Sequence, residues 1–479
     1  MRVPRLAIAA PASGSGKTTV TLGLLRALVR RGMAPAAFKC GPDYIDTQFH
    51  RVASGRSACN LDLFFVDEPR LRSLLARGSQ GCDVAVIEGA MGYFDGVGSS
   101  WRGSTYDVAR ATGTPCVLVM DARGSSLTLA AVAQGMACFR DDATLAGVIL
   151  SRCSPAQAAR VAPQIERASG LEVLGCLPAD SALALPSRHL GLVCADEVAG
   201  VDDAIERAAG ALERTVDVGA LLRIARGAAD IAEEPFSTPP RAGAGEPVVV
   251  AVARDEAFCF YYEENLRMLR DLGARPVEFS PLRDAGLPAA ASALYLGGGY
   301  PELHCEGLAA NGRMRAAVRA ALSAGMPCVA ECGGFMYLQR ALVDGAGRAW
   351  PMAGALPGES RDAGRLSHFG YVELTCARDG LYGPAGTRLR AHEFHYWHSD
   401  DEGSDAVATK PGSEPGSGWQ CVRTTPSLFA GFPHAYWPSD PELARRFVDA
   451  ARRWRDGRAP GRGAAGGDAA RPAGRGRSR

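Results

Sequence analysis

Short apolar runs alternate with longer amphipathic stretches through most of the chain. Arg5 to Ala10, Ala34 to Lys39, Asp83 to Glu88, Pro115 to Asp121, Leu145 to Leu150 and Leu171 to Cys176 are near-continuous apolar segments of strand length. Between them the spacing turns helical, as in Lys17 to Arg31, which stops at Gly32. Strands that are apolar along their whole length are buried on both faces, so this pattern predicts a parallel sheet with helices on each side. The pattern breaks from Glu233 to Pro247, where Pro, Gly, Ser and Thr crowd together as in a solvated linker. It resumes with Val248 to Ala253, Ala293 to Leu296 and Cys328 to Ala330, and the last patterned helix is Pro441 to Trp454. Beyond that helix the chain is Gly, Ala and Arg in low-complexity order, which predicts a disordered basic tail. The expected architecture is α/β, with two doubly wound, mostly parallel-sheet domains at residues 1–232 and 247–454. A linker at 233–246 joins them and a tail covers 455–479.

Composition narrows the function class. A chain of 479 residues suits two or three domains, and 47% hydrophobic content is ample for their cores. A net charge of +1 gives no electrostatic case for nucleic acid or an anionic membrane surface. No apolar run approaches the roughly 18 residues of a membrane span. The apolar stretch Leu6 to Ala12 runs straight into a Gly/Ser loop, so it reads as a strand and not a signal peptide. The 14 cysteines are scattered singly with no CxxC pair, which fits buried thiols in a reducing compartment. A soluble, cytoplasmic protein is expected.

Two motifs carry chemistry. Pro11-Ala-Ser-Gly-Ser-Gly-Lys-Thr-Thr19 lies between a strand and a helix, which is the context of a phosphate-binding loop. Its first Gly position is Pro11, but Gly14, Ser15 and Gly16 still let backbone N–H groups wrap phosphate. Lys17 would reach the outer phosphates, Thr18 would hold Mg²⁺ and Thr19 opens the helix behind them. Carboxylates for that Mg²⁺ are offered by Asp43 and Asp46 after the second strand, unless these only cap turns. Glu88 is a stronger candidate, because an acid ending an apolar strand is costly without a partner. Far downstream, Cys328-Val-Ala-Glu-Cys-Gly-Gly-Phe-Met336 places Cys332 at a sharp strand-to-helix turn. About half a positive charge at that helix N-terminus would lower the thiol pKa and favour a thiolate nucleophile. A nucleophilic thiol and an ATP site in one chain imply ATP-driven transfer of something the thiol releases, and glutamine nitrogen is the candidate.

At this point several segments resemble cobyrinate a,c-diamide synthases: the phosphate loop, Lys39-Cys-Gly-Pro-Asp-Tyr-Ile-Asp46, Glu88-Gly-Ala-Met-Gly-Tyr-Phe-Asp-Gly96, Ala184 to Leu192 and Leu296-Gly-Gly-Gly-Tyr-Pro-Glu-Leu-His304. The resemblance runs in order from about residue 5 to 450. It implies a P-loop NTPase-like first domain similar to dethiobiotin synthetase, whose loop also lacks the first Gly, followed by a flavodoxin-like class I glutaminase domain. It implies His434 in Ser427 to His434 as the base for Cys332. Many class I glutaminases add a Glu two residues after that His. Here the position is Tyr436, so a Cys–His dyad is the implied arrangement. The Gly297 to Tyr300 turn offers backbone N–H groups at Gly298 and Gly299 to an oxyanion. His392, His395 and His398 recur every three residues, but the family carries a similar stretch without a metal, so His392 is assigned to substrate or interdomain contact. His189 resembles a family signature that faces the tetrapyrrole or packs structurally.

The implied activity is ATP-dependent amidation of the a and c acetates of cobyrinate in cobalamin synthesis, with L-glutamine as nitrogen source and Mg²⁺ as cofactor. A homodimer is compatible with this. Hydrogenobyrinate, sirohaem or nickel sirohydrochlorin as substrate stays open, and Gly403 to Trp419 departs from the family pattern. A non-catalytic P-loop regulator is the reading from another class.

Overall fold

The computed structural model describes residues 2–180, 200–232, 246–414 and 416–458. The expected linker at 233–246 therefore falls almost wholly outside the described residues. So do His189, its Ala184 to Leu192 segment and most of the expected tail.

The first half builds one seven-stranded sheet from β1 (Arg5–Ala9), β2 (Pro35–Cys40), β3 (Cys59–Leu61), β4 (Val84–Glu88), β5 (Cys116–Asp121), β6 (Leu145–Ser151) and β7 (Val173–Cys176). Their order across the sheet is β3-β2-β4-β1-β5-β6-β7, and every pairing is parallel. All residues of β1, β2 and β4 are buried, as their apolar run-on sequences require. Chain order reverses beside β1, and ligands bind at such a switch point, outside the strands' carboxyl ends. The phosphate loop follows β1, the Gly41 to Asp46 loop follows β2 and Glu88 ends β4, so the sheet alone gathers these three motifs.

The second half starts a six-stranded sheet with β8 (Val248–Ala253), β9 (Ala274–Phe279), β10 (Ala291–Leu296) and β11 (Cys328–Glu331). Across it run Arg423–Thr425, Leu428–Gly431, β11, β10, β8 and β9. All neighbours are parallel except the Arg423–Thr425 hairpin edge. Three adjacent carboxyl ends supply the turn at Cys332, the turn at Gly297 to Gly299 and the approach to His434. Two parallel α/β domains are thus present, one P-loop NTPase-like and one glutaminase-like.

The alternation misses the region between Ala341 and Ala435, which adds two further sheets. One is four-stranded. The other is five-stranded and antiparallel, centred on His368–Cys376 paired with Arg388–His395. Its last strand, His434–Ala435, pairs with the second of these so that His392 lies opposite His434. In the pattern Tyr371-Val-Glu-Leu-Thr-Cys376, Val372, Leu374 and Cys376 are buried, while Glu373 and Thr375 are exposed. This is the period of two of a strand with one wet face. The last helix, Pro441–Arg458, runs four residues past the predicted end at Trp454.

Candidate active site

Two clusters of functional side chains form, one in each half, and a single loop touches both.

In the first cluster, the phosphate loop turns through left-handed backbone at Gly14 (φ 75°) and Gly16 (φ 97°), conformations that favour glycine. The Ser15 hydroxyl donates to the Ala12 carbonyl at 2.8 Å, and Ser151 at the end of β6 donates to the Ser15 carbonyl at 2.6 Å. Lys17 and Thr18 open helix α1 (Lys17–Arg30), with half-buried Thr19 in its first turn. The Lys17 ammonium folds back onto the carbonyls of Met91 at 2.5 Å and Ala12 at 3.3 Å. Burial, reinforced by nearby Lys39, pushes its pKa down to about 8. Met91 itself sits at φ 48°, a strained position for a side-chain-bearing residue.

Glu88 is fully buried and every contact fits a charged carboxylate. The Thr18 hydroxyl donates to Oε1 at 2.7 Å, Lys39 Nζ donates to Oε1 at 2.9 Å and His50 Nε2 meets Oε2 at 2.7 Å. Burial alone would raise its pKa, but Lys39 and His50 outweigh that and hold it well below the usual carboxylate range. Lys39 also pairs with Asp46 at 2.6 Å and donates to the Gly89 carbonyl at 3.2 Å. Asp43 behaves differently from Asp46. Its Oδ1 accepts from the amides of Ile45 and Asp46, at 2.7 and 3.0 Å, so it caps the turn into helix α2 (Asp46–Ser54). The capping alternative therefore describes Asp43, while Asp46 faces the cation.

Thr18 and Lys39 both meet Oε1 of Glu88, and Lys39 also meets Asp46, so the oxygen donors of Thr18, Asp46 and Glu88 are linked through Glu88 and the Lys39 ammonium. Their chemistry fits Mg²⁺, which is commonly held by one or two carboxylates together with substrate phosphates. Lys39 and His50 were missed in the sequence. The available signal was that Lys39 ends an apolar strand just as Glu88 does, and the two are register partners in neighbouring strands.

In the second cluster, Cys332 adopts φ 48° and ψ −107° between β11 and the helix Gly333–Leu338. This is a strained elbow of the kind that costs on the order of 1–3 kcal/mol and persists at functional sites. The glycines around it are required by contact. A Cβ on Gly298 would run into the His434 ring, and one on Gly333 would stand 3.1 Å from the Gly299 amide nitrogen. The Gly298–Gly299 turn is therefore packed between His434 and the Cys332 elbow. Gly298→Ala is expected to cut glutamine hydrolysis by about 10²-fold through displacement of His434, with ammonia-driven turnover as the control.

The expectation of a depressed thiol pKa is not met in this state. Cys332 is buried, and burial together with the negative Glu302 pushes the thiol up. The Gly333 backbone N–H at the start of the helix lowers it but does not reverse that. Burial also lowers His434 to about 3, helped by His392 and His395, and its Nε2 has no hydrogen-bond partner. Burial thus favours the neutral forms of both thiol and imidazole. His392 is buried too, its ring 6.4 Å from Tyr44 of the first half. His395 stacks on Phe432 with ring centroids 3.9 Å apart.

The segment from Pro42 to Gln48, a loop that runs into the first turn of α2, joins the clusters. Asn60 Nδ2 holds it by donating to the carbonyls of Gly41 and Asp43, each at 2.8 Å. Tyr262 donates to the Pro42 carbonyl at 3.0 Å and Gln48 to the Cys259 carbonyl at 3.2 Å. Between these contacts the Tyr44 ring stacks on Phe260 and lies 4.8 Å from the His434 ring. Asp46, two residues on, pairs with Lys39. The antiparallel sheet adds Tyr371, whose hydroxyl donates to Asp62 of the first half at 2.7 Å.

Residues 6–193 match the CobQ/CobB/MinD/ParA nucleotide binding domain, and residues 249–441 match the CobB/CobQ-like glutamine amidotransferase domain. The chain is 41% identical to a cobyrinate a,c-diamide synthase of Syntrophotalea carbinolica, over 94% of this chain and 99% of the relative. It is 40% identical to that of Salmonella typhimurium, over 93% and 98%. It is 45% identical to a hydrogenobyrinate a,c-diamide synthase of Rhodobacter capsulatus, over 82% and 89%.

Proposed function

Because the chain belongs to the cobyrinate a,c-diamide synthase family, we propose that it amidates the a and c acetate carboxylates of cobyrinate, using ATP and glutamine. Cys332 attacks the glutamine carboxamide, His434 takes the thiol proton and returns it to the departing nitrogen, and ammonia leaves. The Gly298 and Gly299 amides face the tetrahedral oxyanion. In the other cluster the acceptor carboxylate attacks the γ-phosphorus of ATP and ADP departs. Ammonia then displaces phosphate from the acyl phosphate. That activation is necessary because a free carboxylate has neither an electrophilic carbon nor a good leaving group.

Gly14, Ser15, Gly16, Lys17, Thr18 and Thr19 hold the ATP phosphates, and Lys39 lies beside them to offset developing charge. Thr18, Asp46 and Glu88 would hold Mg²⁺, which would neutralise phosphate charge when bound. The observation that carries this reading is the Pro42 to Gln48 loop, which touches His434 through Tyr44 and the phosphate cluster through Asp46. One loop sensing both sites supports ammonia release timed to acyl-phosphate formation.

Since the Lys17 ammonium of the free protein titrates near pH 8, nucleotide affinity should fall as pH rises. A loss of about tenfold between pH 7 and pH 9 is expected, read by calorimetric titration with a non-hydrolysable ATP analogue.

Hydrogenobyrinate is the second reading, favoured by the Rhodobacter capsulatus relative. Mass spectrometry of products after incubation with Mg-ATP, glutamine and cobyrinate, hydrogenobyrinate or sirohaem separates the substrates. Two successive exchanges of hydroxyl for amino on cobyrinate support the proposal. Reaction with another tetrapyrrole alone reassigns the substrate, and no reaction with any of them overturns it.

A further inference from the structure

We propose that Glu331 is the positioning residue for His434, orienting its imidazole from the strand that delivers the nucleophile. The inference rests on the assignment of Cys332 and His434 as nucleophile and base. The position two residues after His434, where related glutaminases carry their orienting acid, is Tyr436. That side chain is turned away: its ring stacks on Phe65 at 4.8 Å and its hydroxyl points to the Asn60 carbonyl at 3.5 Å. It serves the interface between the halves.

Glu331 ends β11, one residue before Cys332, and is 1% exposed. Its carboxylate is fixed at both oxygens. Oε1 accepts from the backbone amide of Ala435 at 3.0 Å, and Oε2 accepts from the Tyr295 hydroxyl at 3.0 Å. Oε2 also lies 4.0 Å from His434 Nδ1, and no other carboxylate of the described residues is that close to this ring. One carboxylate thus grips the backbone just after the histidine and faces its Nδ1. A buried acid with no Lys or Arg partner is costly to keep charged, and burial pushes this one up to about 8, so at neutral pH it rests largely protonated until a cation forms beside it. The imidazolium formed in the reaction is the cation that would repay that cost.

The chemistry follows from the tautomer. With Nδ1–H directed at Glu331, the lone pair is on Nε2, which has no other partner and lies against Gly298. The thiol proton passes from Sγ to Nε2 as sulfur bonds the carboxamide carbon. The carbon–nitrogen bond then breaks, and the nitrogen leaves as ammonia with the Nε2 proton. Glu331 takes no proton from the thiol and, ionised beside the imidazolium, offsets the transient charge. The resting 4.0 Å gap is longer than a hydrogen bond and closes when the ring becomes charged, as catalytic contacts commonly tighten with substrate.

The decisive variant is Glu331→Gln, which keeps the volume and an acceptor for Ala435. Its NH₂ group would donate to Nδ1, leave the proton on Nε2 and so remove the base. Glutamine-driven kcat should fall by about 10²-fold or more with the KM for glutamine unchanged, while ammonia-driven amidation stays at the wild-type rate. Glu331→Asp keeps the charge and should recover about tenfold of that loss. Tyr44, His392 and His395 also face the imidazole and are unaltered in both variants. Glutamine-driven turnover of Glu331→Gln within about threefold of wild type would overturn the proposal. So would equal impairment of the Asp and Gln variants, or parallel loss of the ammonia-driven rate, each of which marks a packing role. Failure of the underlying assignment would show separately, as glutamine use surviving in Cys332→Ala.

Discussion

Cys332→Ala is expected to lower glutamine-driven amidation by at least about 10³-fold while ammonia-driven amidation remains within about twofold of wild type. The size of the first effect reflects what is removed. The thiol supplies the covalent step, and no other nucleophile of the described residues stands at the elbow between β11 and the helix Gly333–Leu338. The selectivity reflects where it sits. Cys332 packs in a core cluster of the second half, with Phe335, Met336 and Phe432, whereas Lys17, Thr18, Lys39, Asp46 and Glu88 hang from the other sheet. Exchanging sulfur for hydrogen in a buried thiol leaves a small void, tolerable next to the several kcal/mol that a large-to-small change costs in such a core. Rates with glutamine and with ammonium chloride, measured on one preparation, read both halves of the expectation. Loss of both activities would contradict the two-site scheme, and glutamine use surviving in the variant would remove Cys332 from the mechanism.

Lys17→Ala is expected to remove both activities, each by about 10³-fold or more, since both require the acyl phosphate. The ammonium is the first cation of α1 and stands where strand, phosphate loop and sheet edge converge. In the absence of nucleotide it is parked on the carbonyls of Met91 and Ala12. Burial and the nearby Lys39 charge disfavour the ammonium here, so phosphate oxygens should draw it away readily. Glutamine hydrolysis without amidation is followed in the same variant as glutamate release. Amidation retained with either nitrogen source would mean that the phosphate loop is misassigned.

Much of this was legible in the one-dimensional pattern. Continuous apolar runs announced buried parallel strands, and an acid at the end of such a run announced a charged cluster, as Glu88 is. The phosphate loop was readable because small residues between a strand and a helix have few other uses. The antiparallel sheet around His368–Cys376 was not read. Its alternating strands are short, separated by long excursions and paired across distant residues, so nothing local in them declares a partner. Asp43 and Asp46 were indistinguishable as sequence. Only the turn geometry showed that Asp43 spends one oxygen on backbone amides while Asp46 meets Lys39.

The family resemblance alone pointed to His434, while the sequence by itself determined the two parallel sheets and marked the phosphate loop and the Cys332 turn. These depend on local rules: strand burial, glycine conformation and the charge a short loop can carry. Only the tertiary structure decided which groups surround each of them. That Lys39 and His50 hold Glu88, that Glu331 faces His434 while Tyr436 turns away, and that Tyr44 of one half lies against the histidine of the other all follow from strand register and domain docking. Those contacts join residues far apart in the chain, and burial shifts their ionisation by amounts that no local pattern encodes.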